Sequence, residues 1–417
     1  MEIRKKTPDK KKIADYCIFA LMTAAVAVVT FILFYNQAVN GVIYHETDFQ
    51  VDRFHSDMFA YMQEMQGLDS GYSFPYPVFF KLSALFNFFL SPEASVALAT
   101  CFLNTLAIIF TKLSFDMFLK DETDKLKEGG KFLIYLLSSL FSVSLFFVSM
   151  LTPPFYLGTK FRYVGVFTAN PFQNATYMAA RPFAIISFVF FLKLMAEYEN
   201  DYKGKLRDYI IFSVAFLVST MTKPSFTLVL GAAALVVIIA RFVKNKFKTV
   251  KQSLFFGLLF VPTILDLLYQ FKGVFVPSEG EVGGVGFCLG KIWLLYTDNI
   301  VTSVVFAIMF PLAVMFLNLK RFKSDYRFRF TWLFYVISFC MAFFCYEKGS
   351  RAVDFNFSWS YMYGIFFAFF ESLVITIEDW TNKKRMPFAA VETLAFLAHL
   401  ACGIPYFLKI FMGGSYY

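Results

Sequence analysis

Residues 72–90 read YSFPYPVFFKLSALFNFFL. The stretch is apolar enough for a membrane, yet it carries Pro75, Pro77, Lys81 and Asn87. Proline is tolerated in a first helical turn and breaks an interior, so the usable helix starts after Pro77. That leaves about 13 residues, or ~20 Å at ~1.5 Å per residue, against a hydrocarbon core of ~30 Å. The stretch therefore reads as a juxtamembrane helix lying on the outer surface. The other reading, a true span, inverts every later loop.

The distribution of Lys and Arg decides between the two readings. With residues 72–90 on the surface, the cluster Arg4, Lys5, Lys6, Lys10, Lys11 and Lys12 falls on the same side as the loops 120–131, 241–251 and 320–329 and the Lys383-Lys384-Arg385 cluster. Most of the 39 Lys and Arg then lie on that side, which the positive-inside rule makes cytoplasmic. The spanning alternative would set the N-terminal cluster opposite 241–251, which has five basic residues and no acid.

Composition agrees with a membrane protein. The 417 residues are 58% hydrophobic, 21% aromatic and 17% charged, with 59 Phe and a mean hydropathy of +0.58. Charge is well below the roughly 25% of soluble domains, and no water-soluble fold could hide that much apolar surface. The prediction is an all-α polytopic membrane protein of about eleven transmembrane helices plus the surface helix. It forms a single integral membrane domain, 1–417. Residues 1–12 are a cytoplasmic N-terminus, 36–91 a first outer loop, and 92–417 a helical bundle. The net charge of +9 does not indicate nucleic-acid binding, because the basic residues sit mostly in short loops where they set topology. The six Cys fall mostly in apolar segments without a metal-ligand pattern. The first apolar run, near 13–35, is too long for a signal peptide and reads as an anchor.

Four polar elements meet on the outer side in this topology. The first is residues 44–61, YHETDFQVDRFHSDMFAY, with Glu46, Asp48, Asp52 and Asp57. The second runs from Asn170 through Asn174 to Arg181. The third is the Lys223-Pro224-Ser225 break, and the fourth is the segment from Glu347 to Asp354. Lys81, Arg181, Lys223, Lys348 and Arg351 are expected at or near helix ends there. A single boundary cation usually snorkels; several beside one carboxylate cluster suit a site that grips phosphate and poises a base.

At these motifs the chain resembles the membrane glycosyltransferases of the C superfamily, which use polyprenyl-phosphate-linked sugars, in a mannosyltransferase-like architecture. SDMFAYM, with Asp57 and Tyr61, resembles the family's acidic motif. FPYPVFFKL resembles its Pro-rich entry with a basic residue, and NATYMAARPF and TKPSF resemble segments at later outer helix ends of bacterial members. Many members carry paired acids, whereas Asp57 here precedes Met58. Asp48 is nearer helix 1, where some members place the base, so both acids are catalytic candidates.

The resemblance implies an inverting glycosyltransferase. Asp57 or Asp48 would deprotonate an acceptor hydroxyl. Lys81, Arg181, Lys223 or Arg351 would hold the leaving polyprenyl phosphate, with Tyr61 and Asn174 as further substrate contacts. The partners are the lipid-linked donor, a glycan, lipid or protein acceptor, and membrane lipid, with no nucleic acid. The resemblance names no definite cofactor; a divalent cation could sit among Glu46, Asp48, Asp52 and Asp57. The expected location is a bacterial plasma membrane, N-terminus in the cytoplasm and active site outside.

Other residues support rival readings. His399, inside a span, reads as a packed residue, which counts against a membrane O-acyltransferase. Glu371 and Glu392 within spans keep a transporter or flippase of lipid-linked sugars as the alternative. Asn174-Ala175-Thr176 matches the N-glycosylation pattern.

Overall fold

The computed structural model describes residues 10–40, 53–152, 159–162, 164–199, 206–274, 283–349 and 351–414. Asp48, with Glu46, Asp52 and His45, lies outside the described residues. The described chain is almost wholly helical: α1 (Lys10–Asn40), α2 (Met58–Met65), α3 (Val78–Asn87), α4 (Pro92–Phe118), α5 (Lys120–Lys125), α6 (Glu128–Ser144), α7 (Ala175–Ala196), α8 (Leu206–Thr222), α9 (Ser225–Lys244), α10 (Val250–Val274), α11 (Ile300–Leu317), α12 (Arg321–Ser324), α13 (Tyr326–Phe344), α14 (Ser358–Thr381) and α15 (Met386–Phe411). Two three-residue strands, β1 (Val285–Phe287) and β2 (Cys345–Glu347), pair antiparallel with Gly286 opposite Tyr346.

Ten of the described helices are long and apolar enough to cross a membrane. The sequence predicts about eleven, and the remaining candidate is α8, whose 17 residues pack along α7 and α10. Polar caps start several helices: Ser91 accepts from Ala94 N, Asn299 from Thr302 N and Asp325 from Phe328 N. Each satisfies one of the N–H groups that a helix start leaves unpaired. α3 begins at its cap Pro77 and is 10 residues long, about 15 Å.

The abundance of Phe is explained by the centre of the bundle. α14 is buried along its whole apolar length and packs against α13, α11, α15, α9 and α6. Its Phe367 stacks on Phe188 of α7 with ring centroids 4.1 Å apart, and Phe370 lies 4.9 Å from Phe115 of α4. α10 is the opposite case. Leu254, Leu258, Leu265 and Leu268 are all exposed, as expected of a helix whose solvent is lipid.

His399 pins three segments together. α11 loses helical geometry at Ile308, ahead of Pro311. The groups freed there are taken up elsewhere: Leu151 N donates to Phe306 O at 2.9 Å, and Phe310 N donates to His399 Nε2 at 3.2 Å. His399 Nε2 therefore accepts, so Nδ1 carries the proton and donates to Ser149 O at 2.8 Å. One turn on, Gly403 lies so close that an added Cβ would meet Phe147 O at 1.8 Å. The histidine is fully buried and serves packing, as its sequence position suggests.

Ion pairs separate the two ends of the bundle. At one end Lys112 bridges Asp15 (3.0 Å) and Asp116 (2.7 Å), Arg321 pairs with Glu378 at 2.7 Å, and Arg385 with Asp379 at 2.6 Å. The Asp57 segment, the α8–α9 break, the β1–β2 pair and the start of α14 gather at the other end.

Candidate functional site

The site is built on the start of α7. Asn174 is its N-cap, the side-chain Oδ1 accepting from Tyr177 N at 2.9 Å. A cap here starts the helix at Ala175, well before the Arg181 start that the sequence predicts. Asn174 Nδ2 donates to Asp57 Oδ2 at 2.5 Å and to Tyr61 OH at 2.8 Å. Tyr61 OH donates to Asp57 Oδ2 at 3.2 Å and lies 3.0 Å from Thr176 Oγ1. Lys223, in the α8–α9 break, donates to Asn174 Oδ1 at 3.3 Å and to Thr176 Oγ1 at 3.0 Å. One amide thus faces the carboxylate with its donor end and the ammonium with its acceptor end.

The backbone holds this arrangement in place. Asp57 N donates to Gln173 O at 3.2 Å, and Gln37 of α1 reaches Phe172 O at 3.0 Å. The segment before Asp57 is tethered to the end of α15 by Phe54 N to Gly413 O (3.3 Å) and Arg53 Nη2 to Met412 O (3.2 Å). Gly413 has φ +86, and a Cβ there would meet the Phe54 ring at 2.8 Å, so the tether needs glycine.

Burial tunes the protonation of the site. Lys223 is buried, its ammonium 4.7 Å from the Trp359 ring centre and 5.8 Å from that of Tyr76. Burial lowers its pKa to about 8; Asp57 and Glu347 oppose that shift and Arg351 adds to it. Burial, and then the Asp57 charge, push the Tyr61 phenol far up, so it stays a neutral donor. Asp57 is half-buried. Two donors hold its Oδ2, and Oδ1 accepts no hydrogen bond from a described residue.

Asp57, Tyr61, Asn174 and Lys223, all sequence candidates, thus share one hydrogen-bonded cluster. Arg351 sits at its edge, paired with Asp354 at 3.2 Å and Glu347 at 3.6 Å. Two candidates are placed differently. Arg181 is expected at a helix end but lies two turns inside α7, because Asn174 starts the helix earlier. It is fully buried, donating to Asn170 Oδ1 at 2.5 Å and Asn104 Oδ1 at 2.9 Å over the Phe146 ring. It ties α4 to α7 and is closed to a phosphate. Lys81 is exposed on α3 and makes no side-chain hydrogen bond or ion pair with a described residue. The Asn174 glycosylation pattern is likewise closed, since Asn174 is 2% exposed.

The sequence reading missed Thr176, Tyr76 and Trp359. Thr176 stands two residues after Asn174 in a motif already singled out. Trp359 is one of four Trp, just past the Glu347–Asp354 segment. Among the described residues no group of three His, Cys, Asp or Glu could hold a metal ion. Two cavities, of about 600 Å³ and 530 Å³, open at the other end of the bundle, away from this cluster. The cluster carries the stronger chemical argument, because it joins a carboxylate to a buried ammonium, whereas the larger cavity's arginines are taken up by carboxylates. The chain matches no protein-family model and no curated protein.

Proposed function

We propose that the protein is an inverting membrane glycosyltransferase of the C-superfamily type, moving a sugar from a polyprenyl-phosphate donor to an acceptor hydroxyl at the outer face. The observation that carries this reading is the Asp57–Asn174–Lys223 bridge. A carboxylate whose Oδ1 accepts from no described residue and a buried, mostly protonated ammonium are held at fixed separation by one amide. In the reaction Asp57 Oδ1 takes the acceptor's hydroxyl proton as the oxygen attacks the anomeric carbon. The bond from that carbon to the phosphate oxygen breaks on the opposite face. Lys223, with Arg351 behind it, stabilises the phosphate charge that develops. Tyr76 and Trp359 supply ring faces beside the ammonium.

In this reading α8 is the eleventh span and α3 lies in the outer interface. The basic end of the bundle faces the cytoplasm of a bacterial plasma membrane. The test is sugar transfer from purified polyprenyl-phosphate sugar in liposomes. Asp57→Asn should lower turnover by about 10²–10⁴ and leave folding intact. If Asp57→Asn stays active and Asp48→Asn is dead, the base is Asp48.

One observation favours the alternative, a transporter of lipid-linked sugars. Glu371 is buried in α14, 3.4 Å from Arg327, and neither oxygen accepts a hydrogen bond from a described residue; intramembrane carboxylates often serve transport. Glu371→Gln abolishing lipid-linked sugar flux, with Asp57→Asn without effect, would favour it.

A further inference from the structure

We propose that the cavity of about 530 Å³ at the end opposite Asp57 seats the phosphate of an anionic membrane lipid. It lies between the ends of α7, α9 and α13. Its floor is apolar, with Val237, Ala240 and the Tyr326 ring, and its rim carries Arg241, Lys244 and Arg329. An apolar floor under a cationic rim, at the boundary of a helical bundle, matches the two parts of a phospholipid.

The charges there are not balanced from within. Glu199, the acid in the lining, is engaged by Arg241 at 3.2 Å and by Asn245 Nδ2 at 3.3 Å. Arg241 is fixed further by Met195 O and by stacking 4.6 Å over the Tyr326 ring. Lys244 has no ion pair or side-chain hydrogen bond with a described residue, and Arg329 spends one N–H on Phe322 O at 2.9 Å. Both are exposed. The neighbouring cavity of about 600 Å³ is the contrast. Its Arg321 and Arg327 are held by Asp325 and Glu378, and its Lys193 by Asp208 at 2.7 Å.

A second observation concerns Tyr326, which lines this cavity and also the larger one. Its hydroxyl is buried and has no hydrogen-bond partner among the described residues. A buried hydroxyl left unpaired is costly. A phosphate oxygen on the rim would accept its proton, and Lys244 and Arg329, neither ion-paired with a described residue, would meet the phosphate charge. Arginine is suited to phosphate by its planar fork of donors.

The test is native mass spectrometry of the full chain in detergent, delipidated and titrated with phosphatidylglycerol or phosphatidylcholine. Wild type should retain one phosphatidylglycerol saturably and in preference to phosphatidylcholine. Lys244→Gln/Arg329→Gln should weaken it about 30-fold, the product of two boundary cations. Tyr326→Phe, with the charge unchanged, should weaken it about tenfold. Lys383→Gln/Lys384→Gln removes two exposed charges at the same end and should leave retention unchanged. Equal retention by wild type and the Lys244/Arg329 variant overturns the site, as does equal loss in the Lys383/Lys384 control. Displacement by millimolar inorganic phosphate would assign the seat to a soluble phosphate and overturn the lipid.

Discussion

Asn174 donates its amide proton to Asp57 at 2.5 Å across 117 residues of sequence. The same side chain caps α7 and meets Lys223, so one residue sets helix start, carboxylate orientation and ammonium position.

Those roles can be separated by substitution. Asn174→Ala should cost about 1 kcal/mol as a lost cap, and Asn174→Ser should keep most of that stability. Neither residue can bridge Asp57 to Lys223, so both variants should transfer sugar about 10²-fold more slowly, as misplaced groups do. Thermal midpoints and turnover, measured together, check this. Wild-type turnover in Asn174→Ser would show that the bridge is not needed.

Lys223 gives opposite signs for binding and stability as pH rises. In the folded protein it loses its proton near pH 8, whereas unfolded it holds it to ~10.4. Donor affinity should therefore fall as pH passes about 8. Between about 8 and ~10.4 the unfolded state binds more protons, so Lys223's contribution to stability should rise with pH. Lys223→Arg should flatten the donor KM profile between pH 7 and 9.5. A wild-type KM constant over that range would remove Lys223 from phosphate binding.

His399 should be a stability residue alone. His399→Leu leaves Phe310 N without its acceptor and Ser149 O without its donor, at roughly 1–3 kcal/mol for each buried group orphaned. The detergent unfolding midpoint should drop clearly while the donor KM of surviving protein stays at the wild-type value. A large KM change would link His399 to the site.

The topology is open to labelling. In a background without accessible native cysteines, Ser73→Cys should react with an impermeant maleimide added to intact cells, and Ser324→Cys only after lysis. Both positions are exposed. Reaction of Ser324→Cys in intact cells would place its loop outside, contrary to the proposed orientation.

Much of this was legible because charge and apolar length are long-range signals. The helical breaks at Pro77 and at Lys223-Pro224 fell where backbone chemistry demands, and with the distribution of Lys and Arg they put Asp57, Tyr61, Asn174 and Lys223 at one end. Arg181 was misjudged because an Asn cap moved the helix start by about two turns, turning an end position into an interior one. Tyr76 was hidden by abundance, and Trp359, one of four Trp, by lying just past the segments singled out. With 59 Phe and 23 Tyr in the chain, only contact with Lys223 tells these rings from the many that fill the core. Lys244 and Arg329 read as ordinary inside-positive residues until Tyr326 brought them round one cavity.

The tether from Arg53 and Phe54 to Met412 and Gly413 has a consequence in time. Its side-chain bond joins residues 359 apart in sequence. At ~5–20 residues per second, roughly 20–70 s separate the synthesis of the Asp57 segment from that of its anchor. Throughout that interval the segment lacks its anchor at the end of α15 and is held by its bonds to Gln173 and Asn174. A ribosome-bound nascent chain halted before α15 should therefore be inserted yet inert, and activity should switch on only as translation completes that helix.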